Sequence, residues 1–221
     1  MKNTLWIFGD SFSHSFKNQI KKSWITKYIK WKGYEPDTFG DIISNKLNLE
    51  LVNLSINGAD NYSIFEKVCE VADKIKEGDI LIIGWSRKTR FRVANDEKAE
   101  WYRVAQINEN LGNDDELYKL ISKDTIEQLL INRDNILYAN EVNNWINLLN
   151  VTFKNNTIIN WTWCEDEKDI HVLNLNHRRI PPILQESSGK HLEGHYGEIG
   201  HQHLSYIFLD IIEKPTNKKI L

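Results

Sequence analysis

Apolar positions in the first part of the chain fall into short unbroken runs separated by periodic, half-polar stretches. Residues 4–8 are an apolar, β-favouring run closed by Gly9, which predicts a buried strand. Asp37 and Thr38 are capping residues ahead of Phe39, Ile42, Ile43 and Leu47, whose spacing predicts a helix ending at Leu47. Residues 50–54 read as a second strand ended by Asn57-Gly58. A helix opened by Asn61 or Ser63 then runs to about Lys76, with Ile64, Val68, Val71 and Ile75 on its inner face. Gly78-Asp79 turns the chain into 80–83, a third apolar strand ended by Gly84.

This strand–helix alternation, with strands apolar throughout, predicts a parallel sheet covered on both faces. Residues from about 96 to 154 are polar, helix-favouring and free of proline, with Gly112-Asn113 as a break. Leu117, Leu120, Ile121, Ile126, Leu129 and Leu130 form one amphipathic pattern, and Val142, Trp145, Ile146 and Leu149 another. They predict a helical insertion at about 96–154 within a single domain spanning 1–221. Strand character returns at 157–163, and 170–175 reads as a fifth strand or extended edge. Pro181-Pro182 makes 178–184 a loop, and Ile199, Leu204, Ile207, Phe208 and Ile211 predict a final helix over 197–212. The expected fold is α/β, a three-layer α/β/α sandwich of flavodoxin-like type with a mainly parallel sheet.

Composition narrows the function. The 221 residues are 41% hydrophobic with only 11 Gly and 4 Pro, which excludes collagen-like and wholly disordered classes. Basic and acidic residues number 28 and 31, for a net charge of -3. With no basic stripe, nucleic acid is not the expected partner. Two cysteines, Cys69 and Cys164, are too few for a disulfide framework and read as buried free thiols. No run is long enough to cross a membrane, and Met1-Lys2-Asn3 leads straight into the first strand without room for a signal peptide. The expectation is a chain made in the cytoplasm with no membrane partner. Lys in excess of Arg, with abundant Asn and Ile, suits an AT-rich bacterial or viral genome. A place in a virion or an oligomer is left open.

In an open parallel sheet, ligands bind beyond the C-terminal ends of the strands. Three such ends stand out: Gly9-Asp10-Ser11-Phe12-Ser13, Asn57-Gly58-Ala59-Asp60-Asn61 and Gly84-Trp85-Ser86. A fourth segment, 193–201, lies just before the last helix and contains Glu193-Gly194-His195-Tyr196. Ser11 suits either a nucleophile or a helix cap. Gly58 suits a turn that needs positive φ. Asp10 is expected to brace the Ser11 turn and Asn61 to cap a helix, both in support of the site. His191, His195, His201 and His203 are dense enough to suggest a metal, but no Cys or paired Asp completes a site. No metal and no cofactor are therefore expected. Arg87, Arg90 and Arg92 suit either an anionic substrate or a solvated strand exit.

These motifs together resemble the SGNH (GDSL-like) hydrolase superfamily, including short phage and bacterial members. The resemblance spans roughly 4–91 and 157–212. It implies that Ser11 is a nucleophile, His195 its general base and Glu193 the carboxylate orienting the imidazole, in the place where the family has Asp. It also implies an oxyanion hole from the backbone N–H groups of Ser11 and Gly58. The family's third block is Gly-x-Asn-Asp; here it reads Gly84-Trp85-Ser86-Arg87, so the Ser86 hydroxyl is the expected substitute donor. Trp85 and Tyr196 are expected to line the substrate. The implied function is an esterase acting on a small acyl group, such as acetyl on a carbohydrate. Two alternatives stand beside it: an O-acyltransferase, and a weak or inactive module that binds glycan or serves an assembly.

Overall fold

Alternation along β1 (Thr4–Phe8) and β3 (Ile80–Trp85) divides the core in two. The structure is a computed structural model of the chain that describes residues 2–16, 23–88, 90–95, 100–104, 122, 124, 125, 128, 136–165, 167–175, 180 and 195–214. Leu5, Ile7, Ile80 and Ile82 face one side, together with Phe39, Ile43, Leu204 and Phe208. Trp6, Phe8, Leu81, Ile83 and Trp85 face the other, with Ile64, Val68, Val142 and Ile146. A strand projects successive side chains to opposite faces, so two buried faces require the unbroken apolar runs seen in the sequence.

The sheet order is β2-β1-β3-β6-β7, where β2 is Glu50–Asn53, β6 Thr157–Thr162 and β7 Leu173–Asn174. Every neighbouring pair in this sheet is parallel. Helices α2 (Phe39–Leu47) and α5 (Glu198–Glu213) cover one face, while α3 (Asn61–Glu70) and α4 (Ile136–Thr152) cover the other. The result is the expected three-layer α/β/α architecture. Among the described residues, no helix is long and apolar enough to cross a membrane.

Several boundaries differ from the sequence reading. A helix α1 (Ser23–Lys32) lies where no element was expected; its lysines mask the short apolar set Ile25, Tyr28 and Ile29. Helix α3 stops at Glu70 and gives way to a 3-10 turn over Ala72–Lys74. Strand β4 (Phe91–Asn95) pairs antiparallel with β5 (Glu100–Val104), so part of the segment expected to be helical from about 96 is strand. In helix α4, Ala139, Val142, Ile146 and Leu149 pack into the sheet's second face, so this helix of the segment is a layer helix between β3 and β6. The apolar pattern at 117–130 and the proline loop fall largely outside the described residues. Cys164 is buried as expected, but Cys69 is exposed, because it sits on the solvent side of α3.

Candidate active site

The chain enters β1, passes to β2 on one side, and returns to β3 on the other, so β1 and β3 meet at a switch in strand order. Crevices beyond the strand ends form at such points. The Gly9–Ser13 turn occupies this one. Ser13 N–H donates to the Asp10 carbonyl at 3.0 Å, and Phe12 N–H donates to Asp10 Oδ1 at 2.9 Å. From the β2 side, Ile56 N–H donates to the Gly9 carbonyl at 2.8 Å and Asn53 Nδ2 to the Ser13 carbonyl at 2.9 Å. Ser11 thus sits in a turn held at both ends, and its side chain is 7% exposed.

Ser11 Oγ lies 2.7 Å from His195 Nε2, across 184 positions of sequence. The imidazole stacks on the Phe12 ring with centroids 4.7 Å apart, and Phe12 stacks on Trp163 at 4.0 Å. After His195 the chain is fixed twice. Tyr196 Oη donates to the Leu175 carbonyl at 2.9 Å, and Glu198 N–H donates to Tyr28 Oη at 2.6 Å. Helix α1, absent from the sequence reading, therefore holds the exit of the histidine segment. Lys32 Nζ and Tyr34 Oη both donate to Glu198 Oε2, at 2.8 and 2.7 Å. The Lys32 bond chiefly, with Tyr34 adding to it, holds the Glu198 carboxyl below the usual range against a burial penalty.

Asp10 collects more than the turn. Its Oδ2 accepts from Ser86 Oγ at 3.0 Å, Trp163 Nε1 at 2.7 Å and Arg90 Nη1 at 2.5 Å. Asp10 is fully buried and the Arg90 side chain nearly so. This carboxylate ties the ends of β1, β3 and β6 into one unit. Arg90 and Trp163 had no such role in the sequence reading; the run Arg87-Lys88-Thr89-Arg90 directly after a strand end was the available signal.

Several expected site residues lie elsewhere in the chemistry. Trp85 is completely buried and donates through Nε1 to Asn160 Oδ1 at 3.0 Å, so it lines no substrate. Tyr196 is 1% exposed, and burial foremost, with the Asp10 charge adding, pushes its phenol above the ordinary range; it too is core. The Ser86 hydroxyl gives its one hydrogen to Asp10 and is withheld from an oxyanion. Asn61 caps nothing: Asp60 is the cap of α3, accepting from Ser63 N–H at 3.0 Å. Asn61 instead clasps the Ser86 backbone, with Oδ1 accepting from Ser86 N–H at 2.6 Å and Nδ2 donating to its carbonyl at 3.0 Å.

Gly58 sits in the turn after β2 at φ +72°, the left-handed conformation that favours glycine. Among the described residues, no protein acceptor takes the N–H of Ser11 or of Gly58. Glu193 and His191 lie outside the described residues. His201 is buried against Phe16 and Phe39, while His203, two residues on, is exposed. Among the described residues, no group of three or more His, Cys, Asp or Glu is placed to hold a metal ion. Arg92 is paired with Glu66 at 2.8 Å and stacks on Tyr62, away from the serine turn.

No protein-family model matches the chain, and no curated protein matches it. A solved structure, protein YXIM from Bacillus subtilis, is similar at a TM-score of 0.33 and 11% identity over 73% of this chain. The chain spans 33% of that protein's length.

Proposed function

We propose that the chain is a serine hydrolase that cleaves an ester through Ser11 and His195. The observation that carries this reading is the 2.7 Å approach of Ser11 Oγ to His195 Nε2 at the sheet's switch point. A serine hydroxyl is a weak nucleophile until an adjacent base accepts its proton. With Nε2 as acceptor, Ser11 Oγ adds to the ester carbonyl carbon as its proton passes to His195. The tetrahedral oxyanion forms against the N–H groups of Ser11 and Gly58, in the roles the family resemblance gives them. Donors of this kind are typically worth about 3–4 kcal/mol each in the transition state. Collapse breaks the bond to the leaving alkoxide, which takes the proton from His195. Water, deprotonated by the same imidazole, then releases the acid and frees Ser11. The family resemblance gives Glu193 the role of the carboxylate that holds the productive tautomer of His195.

The finer reading is a small acyl group, such as acetyl, on a carbohydrate. With Trp85 and Tyr196 sealed in the core, recognition of the rest of the ester falls to other residues. Transfer of the acyl group to a sugar hydroxyl instead of water uses the same steps, with that hydroxyl in place of water. Labelling with a fluorophosphonate, read by intact mass, tests the proposal. The expected result is one adduct, absent from Ser11→Ala and His195→Ala. No adduct on folded protein overturns it in favour of a binding module without catalysis.

A further inference from the structure

Three arginines leave the end of β3 within six residues, and two of them are neutralised. Arg90 is paired with Asp10 and Arg92 with Glu66. Arg87 is different. Its Nε is sealed from solvent without a hydrogen-bond partner, and among the described residues no carboxylate lies within ion-pair distance of its guanidinium. The group stacks on the Trp163 indole, with Cζ 4.9 Å from the ring centroid. Trp163 stacks in turn on Phe12, the residue that follows Ser11. Arg87 also follows Ser86 directly, whose backbone is clasped by Asn61 and whose hydroxyl reaches Asp10.

A half-buried guanidinium that is positioned by an aromatic face but not paired with an anion is costly unless something else supplies the charge. Stacking fixes the plane of the fork while leaving its remaining N–H edge available to a bidentate oxyanion. The side chain as a whole stays partly exposed, so a ligand has access to it. We propose that Arg87 recognises an anionic group of the substrate, a carboxylate or phosphate, so that the ester cleaved at Ser11 carries a negative charge. This rests on the esterase reading for its setting. An acetyl substrate then carries the charge on its alcohol portion; a dicarboxylic half-ester carries it on the acyl portion.

Two matched pairs separate these cases: phenyl butyrate against phenyl hemisuccinate, and phenyl acetate against 4-carboxyphenyl acetate. Wild type is expected to favour the charged member of at least one pair at least tenfold in kcat/KM. In Arg87→Gln that charged-to-neutral ratio falls at least tenfold, and Arg87→Lys retains part of it. A ratio that moves less than twofold in both pairs overturns the proposal. Binding to the Ser11→Ala protein provides a readout that does not need turnover. Succinate and inorganic phosphate are titrated by calorimetry, with and without Arg87→Gln, which distinguishes the two anions and is expected to show at least tenfold weaker binding in the double variant. A chain that hydrolyses nothing yet binds either anion through Arg87 removes the esterase reading, and with it the charged ester, and keeps only the anion site at Arg87. No binding and no ratio change removes the anion site alone if Ser11 still labels.

Discussion

Ser86 Oγ donates to Asp10 Oδ2 at 3.0 Å, joining the residue just beyond β3 to the residue just before the candidate nucleophile. A hydroxyl has one hydrogen, so this bond decides what Ser86 does: it braces the serine turn from the neighbouring strand. Ser86→Ala is therefore expected to cost about 1.5–3 kcal/mol of stability, the range for a hydrogen bond to a charged group. Ester turnover should fall by less than about tenfold, because an oxyanion-hole donor costs about 10²–10³ when removed. Urea unfolding together with kcat on an activated ester checks both halves. A hundredfold fall in kcat with unchanged stability would return Ser86 to the oxyanion hole.

Gly9 holds φ +152°, and a Cβ there would lie 2.3 Å from Ser13 Oγ and 3.0 Å from the Gly84 carbonyl oxygen. The first contact is with a short side chain in a pinned turn and the second with backbone, so neither gives way easily. Gly9→Ala is expected to destabilise by about 2–3 kcal/mol through strain and repulsion at this special φ/ψ. Because the Ser11 turn must shift to relieve it, fluorophosphonate labelling should slow in parallel. Full labelling rate in a variant of wild-type stability would contradict the placement.

Much of this architecture was legible because burial on both faces leaves a direct imprint: 80–83 reads as strand for the same reason that Leu81 and Ile82 are both buried on opposite sides. Ser11 and Asp10 stood out from a motif at a strand end and His195 from the segment ahead of the last helix, and the structure brings Ser11 and His195 together. The second tier was not legible. Arg90 reaches Asp10 across 80 positions and Trp163 reaches it across 153, and no local period encodes such pairings. Trp85 misled because a residue at a strand's end looks close to a cleft, whereas its alternation with Ile83 turns it into the second core. Helix α1 stayed hidden because the apolar set that packs inward, Ile25, Tyr28 and Ile29, is short and interleaved with Thr26, Lys27 and Lys30.

The Asp10–Arg90 pair is buried, and each partner depends on the other. Asp10→Asn removes the carboxylate charge that Arg90 pairs with and puts an amide where one oxygen accepted three donors. Breaking a buried pair from one side typically costs about 3–5 kcal/mol. Arg90→Met alone should be similarly costly. The double variant Asp10→Asn/Arg90→Met should recover at least about 1 kcal/mol relative to the sum of the singles, since it strands no charge. Chemical denaturation of the four proteins completes the cycle. Strict additivity would mean that the two groups do not act on one another.

His201 lies in α5 against Phe16, Phe39 and Tyr196, with Nδ1 buried and unpartnered. Burial drives its pKa from the ordinary 6.5 to about 3; the Asp41 charge opposes the shift, and His195 adds to it. The sign follows from which state binds protons. Between those two values the unfolded chain carries a proton on this imidazole and the folded chain does not, so acid favours unfolding. Stability should be retained above about pH 6.5 and decline as the pH falls toward 3, by about 1.4 kcal/mol per pH unit from this one group. From pH 7 to pH 5 that amounts to about 2 kcal/mol. His201→Phe keeps an aromatic ring among aromatic neighbours and removes the proton-binding site. Whatever its absolute stability, its unfolding free energy should fall by about 2 kcal/mol less than wild type over that interval. Urea titrations of both proteins at pH 7, 6 and 5 provide the slopes. Parallel slopes would place a charged, accessible imidazole at position 201 and contradict the packing of α5 on the sheet.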